Sequence, residues 1–225
     1  MKKILEYLEE LSQNNNREWF NENKSAYKEV RSRFDGFATK LCTRLAAADP
    51  SVDGLRLNQY TYRIYRDMRF STDKTPYKTH ISSYIAPEGK CSGFAGYYIH
   101  IEPQNGSFLK ENLLAAGAHC PSPKELKSIR EEFLDNGESL IKALEAAAPF
   151  VLDYESALKR PPKDFSADSP FIEYIKLKDF TLSHALPMGD LEDSDFLDYC
   201  AAELLKCKTF NEILNRAIRF AHEEM

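Results

Sequence analysis

The spacing of apolar positions divides the chain into three parts. Near the start, Ile4, Leu5, Leu8 and Leu11 recur at helical intervals until the polar run SQNNN interrupts them, which predicts a short amphipathic helix. A long helix follows. Asn16 stands where a cap is needed, Glu18 falls in the positive first turn, and Phe20, Tyr27, Phe34 and Leu41 repeat every seven residues beside Val30, Phe37 and Leu45. That helix should stop before Asp49-Pro50, because a residue preceding proline is pushed out of the helical region.

In the middle third the period drops from helical to alternating. NQYTYRIYRD, THISSYIAP, GFAGYYIHIEP and SFLKENLL read as four strands, rich in Tyr, Ile, Thr and Phe and separated by turn-forming residues. Short connections between them favour antiparallel pairing. From residue 122 the helical spacing returns: Ser122-Pro123-Lys124-Glu125 is a capping box with proline at the first helical position. Asn136-Gly137 should end that helix, and another should run to about Ala148. LKRPPKDFSADSP reads as an extended basic loop, Ser169-Pro170 as the start of a short helix, and FTLSHAL as one more strand. Two helices close the chain, the second opened by a capping box from Thr209 to Glu212. The pattern predicts one α+β domain over residues 1–225. It would be helical over 1–50, a mostly antiparallel sheet over about 56–115, and helices with one further strand over 122–225.

Composition narrows the class. Hydrophobic residues make up 43% of the 225, enough for a proper core and against disorder. The first twenty residues lack the continuous apolar stretch and cleavage site of a secretory signal, and no run approaches membrane-spanning length, so a cytoplasmic protein without membrane attachment is expected. The five cysteines are odd in number and far apart, with no C-x-x-C pair, which argues against a disulfide framework and a structural zinc site. Buried thiols are the expected state, above all at Cys200 and Cys207.

Charge adds the first hint of chemistry. The chain has a net charge of -5, yet Arg56, Arg63, Arg66, Arg69, Lys74 and Lys78 face only Asp67 and Asp73 between residues 56 and 80, a local +4. Guanidinium forks and ammonium groups beside the hydroxyls of Ser71, Thr72, Thr75 and Thr79 suit a phosphate, sulfate or carboxylate. The candidate ligand-binding residues are therefore Arg63, Arg66, Arg69, Lys74, Lys78 and His80. Lys159, Arg160 and Lys163, in a proline-limited basic loop, could close over them. The opposing reading is structural, with these cations tying the sheet to acidic helices.

In GYYIHIEP, alternation puts Tyr98, His100 and Glu102 on one face and Tyr97, Ile99 and Ile101 on the other. Tyr98 would line the wall beside the basic segment, with His100 and Glu102 as candidate acid/base groups. His80, His100 and Glu102 could converge on a metal ion if the strands pair near them, but the surrounding positive charge opposes a cation, and neither metal nor cofactor is expected. EGKCSG lacks the spacing of a Walker loop, since Tyr84 stands where glycine is required. The acidic run of Asp190, Glu192, Asp193, Asp195 and Asp198 reads as a solvated helix start. TYRIYRDMRF mixes aromatic and basic residues as single-stranded nucleic acid requires, so a module binding nucleic acid or an acidic protein partner is the rival to a small anionic ligand.

The strings NNNREWFNENKSAY, YRIYRDMRFSTDKTPYKTHISSYI, GFAGYYIHIEP, GSFL, LKRPPKDF and LKDFTLSHAL together resemble the bacterial family called domain of unknown function 2461. The resemblance spans roughly residues 10 to 220 and implies a single α+β domain. It brings no reaction, substrate or catalytic residues with it. The segment KENLLAAGAHCPSP departs from the shorter glycine-rich run that the family pattern implies before the helix.

Overall fold

The structure is a computed structural model that describes residues 1–69, 72–186 and 195–223. Its centre is an antiparallel sheet of five strands, β1 (Ile81–Ile85), β2 (Gly96–Ile101), β3 (Leu113–Ala118), β4 (Val151–Leu152) and β5 (Phe180–Ala185), in the order β1-β2-β3-β5-β4. The register puts Ile81 opposite Ile101, Ser83 opposite Ile99 and Ile85 opposite Tyr97. Leu114, Ala116, Phe180 and Leu182 continue this face across β3 and β5, and all of these side chains are buried.

Helices cover that apolar face. At the amino end stand α1 (Lys2–Gln13), α2 (Arg17–Glu22) and α3 (Lys24–Ala48), and the one-turn α4 (Leu57–Tyr60) follows them. After β3 come α5 (Pro123–Ala146), α6 (Ile172–Ile175), α7 (Phe196–Lys206) and α8 (Lys208–Glu223). α3 packs between α1 and α7, α5 lies along α8, and α7 and α8 touch β3. The α+β class, with helices at both ends of the chain, is as the periodicity predicts. No helix among the described residues is long and apolar enough to cross a membrane.

The opposite sheet face is more polar. Ser82 and Tyr84 face it from β1, Tyr98 and His100 from β2, and Thr181 and Ser183 from β5. Tyr84 and Tyr98 keep partial exposure there, with ring centres 6.5 Å apart.

Several boundaries differ from the sequence expectations. NQYTYRIYRD is not a strand: residues 57–60 coil into α4, and the rest forms an irregular arm held by isolated bridges from Thr61 to Ser83 and from Tyr65 to Tyr77. Burial of Tyr60, Ile64 and Tyr77 overrides the alternating pattern, and the arm folds back on itself through Arg66 N–H to Pro76 O and Lys78 N–H to Ile64 O. SFLKENLL is a loop up to Asn112, and the strand is the Ala- and Gly-rich LLAAGA, whose six residues are all buried. Asn16 caps only α2, accepting from Trp19 N–H, and the chain breaks at Asn23 before α3.

Asn136 kinks α5 instead of ending it, with φ -134° and ψ 24°. α8 begins one residue before Thr209, and Glu212 pairs with Lys208 at 3.1 Å in place of a capping box. Cys42, Cys200 and Cys207 are buried free thiols, while Cys91 and Cys120 are exposed. Asp195 and Asp198 stand at the start of α7, where Asp198 pairs with Arg44 at 2.8 Å. Ser71, Asp190, Glu192 and Asp193 lie outside the described residues.

Candidate functional site

Glu102 follows the last residue of β2, is fully buried, and organises the turn after it. Its Oε1 accepts from Thr79 Oγ1 at 2.9 Å and from Phe108 N–H at 2.9 Å. Its Oε2 accepts from Leu109 N–H at 2.6 Å, Lys110 N–H at 2.8 Å and His100 Nε2 at 3.1 Å. Burial pushes this carboxyl upward, but the bonds from His100, Lys110, Thr79 and Phe108 outweigh it and hold the group down at about 2. Gly106 is required for the loop to close, since a Cβ there would stand 2.4 Å from Glu102 Oε1. His100, also fully buried, receives Tyr98 Oη at 2.9 Å on Nδ1 when its other nitrogen carries the proton for Glu102.

His80 sits beside this pair. Strand pairing of Ser82 with His100 and of Ile81 with Ile101 carries it there, with its ring 4.6 Å from that of His100 and 5.1 Å from that of Phe108. Its Nδ1 is buried and has no hydrogen-bond partner among the described residues. Burial, reinforced by His100, Lys78 and Arg66 against the pull of Glu102, lowers its pKa to about 3, so the ring is neutral. The convergence of His80, His100 and Glu102 that the alternation permits is thus present. Both His100 and Glu102 are fully buried, and five donors occupy the carboxylate, which makes Glu102 a fastening for the loop.

The basic arm is anchored before it offers anything to a ligand. Asn15, from the polar break after α1, accepts from Tyr77 N–H at 3.1 Å and donates to Tyr77 O at 2.9 Å. Tyr77 stacks on Phe20 with centroids 3.9 Å apart, and Arg31 of α3 donates to Tyr62 O at 2.5 Å and Thr61 Oγ1 at 2.8 Å.

Within the arm, Arg66 pairs with Asp73 and Thr75, and Arg69 donates from Nε to Asp67 Oδ1 at 2.9 Å. Both aspartates are held down at about 2, Asp67 by Arg69 and Asp73 by Thr75 N–H and Arg66. Lys74 donates to Met68 O at 3.1 Å. Arg63, Arg66, Asp67, Met68, Arg69 and Lys74 line an open depression of about 510 Å³.

Lys78 and Lys90 stand differently. Their ammonium groups lie 5.2 and 5.7 Å from the centre of the Tyr62 ring. Lys78 is half-buried, and burial followed by repulsion from Arg63 lowers its pKa. Among the described residues no carboxylate forms an ion pair with Lys78 or Arg63, though Asp67 feels the charge of Arg63. Lys90 is placed by the turn at Gly89, whose φ is +100° and where a Cβ would stand 3.0 Å from Gln59 O. Lys90 N–H then bonds Gln59 O at 2.7 Å, and its Nζ reaches Asn58 O.

Sequence reasoning missed Lys90, Tyr62 and Asn15, because no local spacing announces contacts that long-range packing makes. Lys159, Arg160 and Lys163 do not close over this region. Their loop is fixed by Asp153 N–H to Thr181 O and Leu158 N–H to Lys176 O, at the β4–β5 edge, whereas the basic arm lies along β1.

The fold and site define an α+β chain with a basic arm along one sheet edge and a buried histidine–carboxylate cluster at its root. Residues 3–212 match the family described as "Conserved hypothetical protein (DUF2461)", and the chain belongs to it. No curated protein and no solved structure matches the chain.

Proposed function

We propose that this protein binds a small phosphate- or carboxylate-bearing ligand between the basic arm and the polar face of the sheet. The observation that carries the reading is the Lys78 ammonium, half-buried over the Tyr62 ring and repelled by Arg63, with no carboxylate among the described residues in ion-pair contact with either; Lys90 stands at the same ring. Crowded like charges cost free energy in the empty protein, and an anion removes that cost. Arg66, Arg69 and Lys74 line the adjoining depression and set its positive field, Arg66 and Arg69 being largely balanced by their own aspartates. His80, a neutral ring, lies near enough to feel the charges of Lys78 and Arg66, and Tyr98 lies beyond it against His100. We place the protein in the cytoplasm, in keeping with its exposed free thiols at Cys91 and Cys120.

The test is a thermal-shift series with inorganic phosphate, sulfate, nucleotides, sugar phosphates, di- and tricarboxylates and short single-stranded DNA, at low and moderate salt. A ligand at 100 times its dissociation constant adds about 2.7 kcal/mol, which is visible as a shift of a few degrees. The reading expects a selective shift from one small anion that persists at moderate salt and is lost in the double variant Lys78→Met, Lys90→Met. No shift from any small anion, or one that the double variant keeps, overturns it. A shift from DNA alone that collapses with salt would transfer the arm to the nucleic-acid reading.

A further inference from the structure

We propose that His80, His100 and Glu102 form a binding site for one divalent first-row transition-metal ion. A ring nitrogen of each histidine and a carboxylate oxygen of Glu102 all lie within 4.8 Å of one another. Two imidazoles and one carboxylate are a ligand set that suits zinc, cobalt, iron and manganese. His100 Nε2 and Glu102 Oε2 are 3.1 Å apart. Two neighbouring donors bound to one ion at about 2.1 Å stand about 3.0 Å apart in an octahedron and about 3.4 Å apart in a tetrahedron, so this edge of the coordination shell falls within that range.

The independent observation is His80 Nδ1, buried without a hydrogen-bond partner among the described residues, on a ring 4.6 Å from that of His100. A buried polar atom left unpaired costs about 1 to 3 kcal/mol, and a metal ion is one partner that its lone pair can take. The surrounding groups are those a metal ligand needs. Tyr98 Oη lies 2.9 Å from His100 Nδ1 and can accept a hydrogen bond from Nδ1–H in the tautomer that leaves Nε2 free for the ion. Thr79 and three backbone N–H groups fix the Glu102 carboxylate in place.

The positive arm, which argues against a cation when the sequence is read as a line, is partly neutralised in the fold. Asp73 pairs with Arg66 and Asp67 with Arg69, and the Lys78 ammonium is directed to the Tyr62 ring. Arg66 and Lys78 still act on His80 and weaken the ion's binding, without removing the donor set.

The test needs no knowledge of the organic ligand and goes beyond the anion reading, because it uses metal alone. The full chain is stripped with chelator, dialysed against cobalt(II) and separately zinc(II), and the bound metal is counted by mass spectrometry. One equivalent per chain is expected, with cobalt absorption bands in the visible and a rise in melting temperature that chelator reverses. Glu102 also fastens a loop and its variants can unfold, so the diagnostic variants are His80→Ala and Tyr98→Phe. Each should weaken binding by about 10-fold or more while the metal-free melting temperature stays near the parent's. No retained metal, or binding unchanged in His80→Ala, overturns the proposal. So does an ion lost only in Cys120→Ser, which would place it at the exposed group of His119 and Cys120 instead.

Discussion

Thr79 Oγ1 donates to Glu102 Oε1 across 2.9 Å, and this bond joins the end of the basic arm to the end of β2. The same carboxylate holds the N–H groups of Phe108, Leu109 and Lys110, so one side chain fixes both the arm and the 106–110 loop. Glu102→Ala would strand the donors in the interior, and the expected loss of stability is about 3 to 5 kcal/mol. Urea denaturation measures the loss, and hydrogen exchange should speed up first at Phe108, Leu109 and Lys110. A variant within about 1 kcal/mol of the parent would mean that other contacts hold the loop.

Gly106 tests the same arrangement from the opposite side. A methyl group at that position meets Glu102 Oε1 at 2.4 Å and Cδ at 2.6 Å, so Gly106→Ala must displace either the loop or the carboxylate. The expected cost is about 1 to 3 kcal/mol. In a Glu102→Ala background most of that cost should vanish, because the clashing atoms are gone, and a double-mutant cycle reads the coupling directly. Additive losses would contradict the contact.

Lys78 separates binding from stability. Its ammonium is half-buried over Tyr62, with Arg63 as a like-charged neighbour and no carboxylate among the described residues pairing it. Lys78→Met keeps the apolar stem and removes the charge, so the ligand-free melting temperature should stay level or rise while the anion-induced shift falls. A clear drop in ligand-free stability would show that the ammonium serves the fold instead.

How much of this was legible depended on the range of the signal. The helix caps at Asn16 and Ser122, and the alternation from Tyr97 to Glu102, rest on neighbours within a few residues, and they appear in the structure at those positions, although the helix that Asn16 opens is the short α2 and not the long one. LLAAGA escaped because Ala and Gly are poor strand formers in isolation, and what makes them a strand is burial between β2 and β5. The basic arm was legible as charge but not as shape. Which cations Asp67 and Asp73 neutralise, and that Lys90 joins Lys78 at Tyr62, follow from turns closed by Pro76 and Gly89.

Glu125 gives a pH dependence whose sign can be worked out. It accepts from Ser122 N–H at 2.6 Å and from His222 Nε2 at 2.7 Å, tying the start of α5 to the last turn of α8. Burial raises its pKa, but His222 and Ser122 outweigh burial and leave the folded value below the ordinary carboxylate range. A carboxyl depressed by folding contributes stability that is fully present above its unfolded value of about 4.3 and is lost as pH falls through the folded value. Glu125→Gln removes the charge at every pH while keeping the shape, so near neutrality it should cost about 1 to 2 kcal/mol through the capping box and the His222 bond. As pH falls from the unfolded value through the lower folded one, the parent's carboxyl takes up its proton and comes to resemble the amide, and the two stability curves should converge. Urea denaturation of both proteins between pH 3 and 7 measures the gap. A gap that stays constant down to pH 3 would show that the Glu125 charge does not hold α5 to α8.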